Sequence, residues 1–154
     1  MMDDRRVVLV DGVTVPDALN EALIRTVVHR FYDAIRADPM LGPVFGAKIV
    51  EDRWPVHLAR MCDFWSSSLL RSGRYDGRPL PPHLRIDGLG EAHFRRWLEL
   101  FKATLEEVCP ASVRPLFMVR ALRMANSFRL AIAFHRGEDT VSLKPIGDEY
   151  FEKA

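Results

Sequence analysis

The sequence predicts an all-α fold, and three features carry that reading. Four long segments place apolar residues at the period of an amphipathic helix, and the body of the chain holds no convincing strand. A long segment rich in proline and glycine divides the four helices into two pairs, which leaves a gap suited to something flat.

Residues 1–16 form a valine-rich N-terminal arm, read either as a short strand or as irregular chain. The first helix is expected to open at Pro16-Asp17, where proline suits the first turn and the carboxylate complements the helix dipole. Leu19, Leu23, Val27, Phe31 and Ile35 recur every fourth residue, and Ile24, Val28 and Tyr32 widen them into one stripe. Asp38-Pro39 ends it, because proline disfavours helical geometry in the residue before it. Met40 to Lys48, with Gly42-Pro43 and Phe45, reads as a connector. The second helix runs from about Asp52 to Arg71 with Trp54, His57, Leu58, Met61, Phe64, Trp65 and Leu69 on its apolar side. At 1.5 Å per residue it is about 30 Å long, enough to cross a small domain.

Ser72 to Leu84 holds two glycines and three prolines, which excludes a long helix but allows one turn around His83. A third helix from about Glu91 carries Phe94, Trp97, Leu98, Phe101, Leu105 and Val108, and Pro110 closes it. The last carries Val113, Phe117, Ala121, Met124, Phe128 and Ile132 and ends at Gly137. Residues 17–137 thus form the domain, and the polar tail 138–154 is expected to loop out.

The 154 residues suffice for one real core. With 22 Lys+Arg against 21 Asp+Glu, interspersed, the chain lacks the concentrated basic charge of a nucleic-acid binder. The run Val7 to Val10 is too short for a signal-peptide core or a membrane span, so a cytoplasmic location is the expectation. Cys62 and Cys109 read as reduced core residues.

A flat cofactor that a helical gap can hold is haem, which needs an axial imidazole and an apolar slot. There are five histidines. His57 shares a helical face with Met61, Phe64 and Trp65, so it either looks into an apolar cavity or is a core histidine bonded to a carbonyl. His83 follows Pro81-Pro82, which would hold its imidazole on a rigid, locally extended approach, and a surface-loop reading stands equally. His93 reads as a solvated or capping residue, and His29 and His135 as surface residues. Tyr32 lies on the inward stripe, its hydroxyl needing a partner if buried and otherwise wetted at an edge, and the aromatic row Phe94, Trp97 and Phe101 fits plain core as well as a cofactor wall.

Taken in order, Phe31-Tyr32, Phe45, Trp54, His57, Phe64-Trp65, Tyr75-x-Gly77-x-Pro79, His83-Leu84 and Phe94-x-x-Trp97 form a specific pattern. Its densest parts are FWSSSLLRSGRYDGRPLPPHLRI and HFRRWLELF. From about Leu19 to Arg136 the chain resembles the group III truncated haemoglobins, and it lacks the glycine pairs of the other truncated groups.

The resemblance implies a truncated globin, a two-over-two helical sandwich enclosing haem b. His83 would be the proximal ligand to iron, and Tyr32 and Trp97 would donate hydrogen bonds to bound ligand. His57 would be the distal-helix histidine, able to gate the pocket, with Phe45, Met61, Trp65 and Phe94 packed on the porphyrin. Arg53, Arg74 and Arg85 are unranked candidates to meet its carboxylates. The expected ligands are oxygen, nitric oxide and carbon monoxide. Nitric oxide dioxygenase or peroxidase-like chemistry would need a separate reductase, since nothing in the chain resembles a flavin or nicotinamide fold. The rival reading is a haem-free helical interaction domain, its histidines and aromatics serving as core.

Overall fold

The computed structural model describes residues 7–10, 13–86 and 88–147; expectations for residues 1–6, 11–12, 87 and 148–154 lie outside the described residues. The arm forms a hairpin: β1 (Val7–Val10) pairs antiparallel with β2 (Val13–Pro16), Val7 facing Pro16 and Val10 facing Val13. Pro16 therefore closes a strand, and the first helix starts later than expected. Asn20 caps α1 (Glu21–Ala37), its side-chain oxygen accepting the Leu23 N–H at 2.9 Å. Asparagine holds that place because it satisfies an amide that the first turn leaves without a partner.

Asp38 ends α1 and organises the turn into the next helix. One carboxylate oxygen accepts the Met40 and Leu41 N–H groups at 3.0 Å, so the stretch expected to be a connector winds into α2 (Leu41–Lys48). Pro43 sits in the first turn of α2, where a missing N–H costs nothing. Gly42 lets α2 start against the end of α1, since a Cβ there would lie 2.9 Å from the Arg36 carbonyl oxygen. The other oxygen of Asp38 accepts the Arg96 Nε–H at 2.8 Å, tying this corner to a helix 58 residues away.

A 3₁₀ turn, Glu51–Arg53, leads into α3 (Trp54–Leu70). Arg36 pairs with Glu51 at 2.7 Å and lies 4.5 Å above the Trp54 ring, fixing where α3 begins. The proline-rich segment holds α4 (Leu80–Leu84), then come α5 (Glu91–Val108) and α6 (Arg114–His135). Helices α1 and α3 pack as one pair and α5 and α6 as the other, with α1 seated on α5 and α4 on α6. Val27, Phe31, Ile35, Leu98, Phe101 and Phe117 are fully buried where the pairs meet.

Gly137 (φ +73°) terminates α6, and the following segment does not loop out as expected. Ile146 is buried, its N–H donating to the Asn126 Oδ1 at 2.8 Å and its carbonyl accepting from Asn126 Nδ2 at 2.9 Å. Arg129, also buried, donates to the Lys144 carbonyl at 2.8 Å. These bonds strap the chain along α6. Among the described residues no helix is long and apolar enough to cross a membrane.

Arg96 and two backbone amides hold the Asp38 carboxyl below the usual carboxylate range. Asp38→Asn loses charge-assisted hydrogen bonds and is expected to lower stability by about 2 kcal/mol at pH 7, read from urea unfolding. A carboxyl with a depressed folded pKa stabilises above its unfolded value, near pH 4, and loses that contribution as the pH falls further. The gap between wild type and variant should therefore close below about pH 4. Equal urea midpoints at pH 7 would remove Asp38 from this role.

Candidate functional site

The two helix pairs enclose a cavity of about 460 Å³, within the size range of small-molecule and cofactor sites. Tyr32 of α1, Phe45 of α2, His57, Met61 and Trp65 of α3, His83 of α4, and Phe94 and Trp97 of α5 all line it. All eight residues expected to hold haem or face its ligand thus meet at one place. Of the three arginines considered for an anionic edge, Arg85 lines the cavity, while Arg74 pairs with Glu21 at 2.7 Å.

His83 sits differently from its expected setting. Instead of an extended approach, Pro81 and Pro82 lie in the first turn of α4, where proline's fixed φ is helical and no N–H is required. His83 Nδ1 lies 2.6 Å from the Pro79 carbonyl oxygen, and the ring packs 4.7 Å from Phe128 of α6. Burial pushes its pKa down, against the smaller opposing effect of that bond. A neutral ring whose Nδ1–H is engaged by a carbonyl keeps its free lone pair on Nε2.

Across the cavity, His57 lies 4.9 Å from the Tyr32 ring and 5.5 Å from Trp54, edge-on to both. Its Nε2 is buried with no hydrogen-bond partner. Such an atom costs stability unless something else satisfies it, so it points to a polar ligand. Burial, then the nearby charges of Arg60 and His83, pull the His57 pKa down to about 4. Burial pushes the Tyr32 phenol up, which keeps it a hydrogen-bond donor.

The wall behind them is a stack. Phe101 lies between Trp97 (5.6 Å, 8° between planes) and Trp65 (5.2 Å, 16°), with Phe31 edge-on at 4.9 Å. Trp97 is only half-buried and so keeps an edge toward the cavity. His93 Nδ1 accepts the Gly90 N–H at 3.1 Å, the capping role expected of it, while also lining the cavity. Lys48, Arg60 and Arg78 line the cavity as well, and sequence reasoning misses them because helical period and loop position alone mark them as solvated charge.

A histidine with a depressed folded pKa is neutral when folded and protonated when unfolded, between about pH 4 and 6.5. The unfolded chain then binds more protons, so stability should fall as the pH drops through that window. His57→Leu is expected to flatten the dependence of the urea midpoint on pH there. An unchanged slope would show that His57 is not the buried titrating group.

No family model matches the chain. It is 31% identical over 115 residues to the group 3 truncated hemoglobin ctb of Campylobacter jejuni, a match spanning 73% of this chain and 91% of the relative. Its fold is similar to the crystal structure of group III truncated hemoglobin from Campylobacter jejuni, with a TM-score of 0.71 at 30% identity, covering 75% of this chain and 93% of that one. Together with the two helix pairs around the cavity, this shows that the chain belongs to the group 3 truncated haemoglobins, globins with a two-over-two helical fold, a family that implies a haem cofactor.

Proposed function

We propose that the cavity holds haem b through His83 and binds oxygen, nitric oxide and carbon monoxide, with removal of nitric oxide or peroxide as the cellular task. The observation that carries this reading is the 2.6 Å contact between His83 Nδ1 and the Pro79 carbonyl. A carbonyl only accepts, so the contact selects the tautomer that offers Nε2 to a metal. The lining also fits the group: it is mainly apolar, and an orphaned buried nitrogen, His57 Nε2, lies on α3, in the helix pair other than the one on which α4 is seated.

Haem supplies an iron with one position for a protein imidazole and another for a small ligand. The chain's own groups do the rest. Tyr32 is a buried neutral phenol and donates its O–H to a ligand beside it. Trp97 has an indole N–H that only donates, on a ring fixed by Phe101 and Phe31. His57, kept neutral near physiological pH, offers the unsatisfied Nε2 and gates this half of the cavity. Phe45, Met61, Trp65 and Phe94 exclude water, which strengthens every hydrogen bond made inside. This function resides in residues 17–137, and the reading includes a separate electron-donating reductase and a cytoplasmic setting.

Titration of the protein with haemin tests the proposal. A sharp Soret band at one equivalent, shifting on reduction and again on addition of carbon monoxide, is expected. Absence of any spectral change on mixing would overturn it. Tyr32→Phe and Trp97→Phe should each speed oxygen dissociation about three- to tenfold, the loss of a hydrogen bond worth about 1 kcal/mol. Stopped-flow rates identical to wild type in both variants would remove the donor role.

A further inference from the structure

The Pro79 carbonyl steadies the His83 ring at one end of α4, and Phe128 packs against the ring from α6. What holds the other end of α4 comes from outside it. The chain leaves α4 through Arg85 and Ile86, whose N–H groups donate to the Pro82 and His83 carbonyls at 3.3 and 3.2 Å. Ile86 and Leu89 lie in the non-helical stretch between α4 and α5, and both line the cavity. Their carbonyls accept from one side chain: Arg136 Nη1 donates to Leu89 at 2.7 Å and Arg136 Nη2 to Ile86 at 3.2 Å.

Arg136 is itself fixed in place. It caps α6, its own N–H donating to the Ile132 carbonyl at 3.0 Å. Gly137 at φ +73° then turns the chain, and the Glu138 N–H closes the helix end on the Ala133 carbonyl at 2.9 Å. Phe128 and Arg136 are eight residues apart, so they share the face of α6 against which α4 packs. A guanidinium suits this place. It keeps its charge at any ordinary pH, and its rigid fork bridges two acceptors that an ammonium would meet one at a time.

A helix of five residues has little stiffness of its own, so the direction of the imidazole depends on how both ends of α4 are held. With the Pro79 end alone secured, α4 can pivot and the Nε2 lone pair swings with it. We propose, on the reading of His83 as the iron ligand, that Arg136 is its positioning residue. By bridging the Ile86 and Leu89 carbonyls, Arg136 fixes the tilt of the imidazole and with it the strength of the bond from Nε2 to iron. Arg136 does not line the cavity, so its influence reaches the iron through α4 and His83.

The test compares the ferrous haem-bound wild type with Arg136→Gln, Arg136→Lys and Asn126→Ala. Asn126 lies on the same helix and bonds Ile146 and Arg129, with no bond to residues 79–90, so its variant controls for general loosening of α6. In Arg136→Gln the iron–histidine stretch, read by resonance Raman, should move to lower frequency and broaden. On addition of nitric oxide, the ratio of haem without to haem with its histidine, read from the Soret band, should rise about tenfold, the worth of one charge-assisted hydrogen bond. Arg136→Lys should fall between wild type and Arg136→Gln in both readings. Asn126→Ala should match wild type in both while lowering the urea midpoint.

A band and a ratio unchanged in Arg136→Gln, with only the urea midpoint lowered, would overturn the inference and leave Arg136 as a fastening of the fold. Equal changes in Arg136→Gln and Asn126→Ala would overturn it too, since any loosening of α6 would then suffice. A wild type with no iron–histidine band would overturn the reading of His83 as the ligand, and the role of Arg136 with it.

Discussion

The hydrogen bond between His83 Nδ1 and the Pro79 carbonyl is the contact on which the chemistry of this fold depends. It exists only because α4 is a helix: the carbonyl of residue 79 reaches the ring of residue 83 one turn later. Pro82, at the i+3 position from residue 79, has no N–H to offer that carbonyl. The far side of α4 is held as firmly. Arg136, just past α6, donates to the carbonyls of Leu89 at 2.7 Å and Ile86 at 3.2 Å. The Ile86 N–H in turn donates to the His83 carbonyl at 3.2 Å. A five-residue helix has little stability of its own, and its docking on α6 with this clamp supplies what it lacks.

The other half of the cavity obeys a different rule. The stack of Trp97, Phe101 and Trp65 makes a rigid wall, Phe31 joins it to Tyr32, and His57 lies edge-on to Tyr32, so both are polar groups in an apolar place. Both are desolvated, and His57 Nε2 makes no bond within the protein. A fold selected for stability alone would have an apolar side chain there. The cost is localised where a small polar ligand can offset it, and the fully buried residues around Phe31 and Phe117 supply stability elsewhere.

Much of this fold is legible in the sequence, and the departures have physical causes. The stripes of α1 and α5 follow from the regular recurrence of Val27, Phe31, Leu98 and Phe101. Helix α2 reads as a connector because Gly42-Pro43 looks like a turn, yet proline is at home in a first turn and Gly42 serves close packing. The same property of proline hides the helical form of α4. Nothing in the polar composition of the tail shows that Asn126 binds both backbone groups of Ile146, so the strap along α6 is invisible to local reading. The Asp38–Arg96 pair lies beyond any local signal for the same reason. Of the site itself, periodicity places His57 on the correct helical face, but it does not separate His83 from a surface-loop histidine. The eight candidate residues come together only through their resemblance to the group 3 pattern, and all eight line the cavity.

The most direct measurement of whether α4 carries the iron ligand is the resonance Raman spectrum of the ferrous, ligand-free protein, in the low-frequency region where an iron–histidine stretch appears. Wild type should show that band. His83→Gly should lose it and regain a band of the same kind when free imidazole is added, because the open space admits the missing ring. An iron–histidine band that persists unaltered in His83→Gly without imidazole would assign the iron to another histidine and contradict α4 as the source of the ligand.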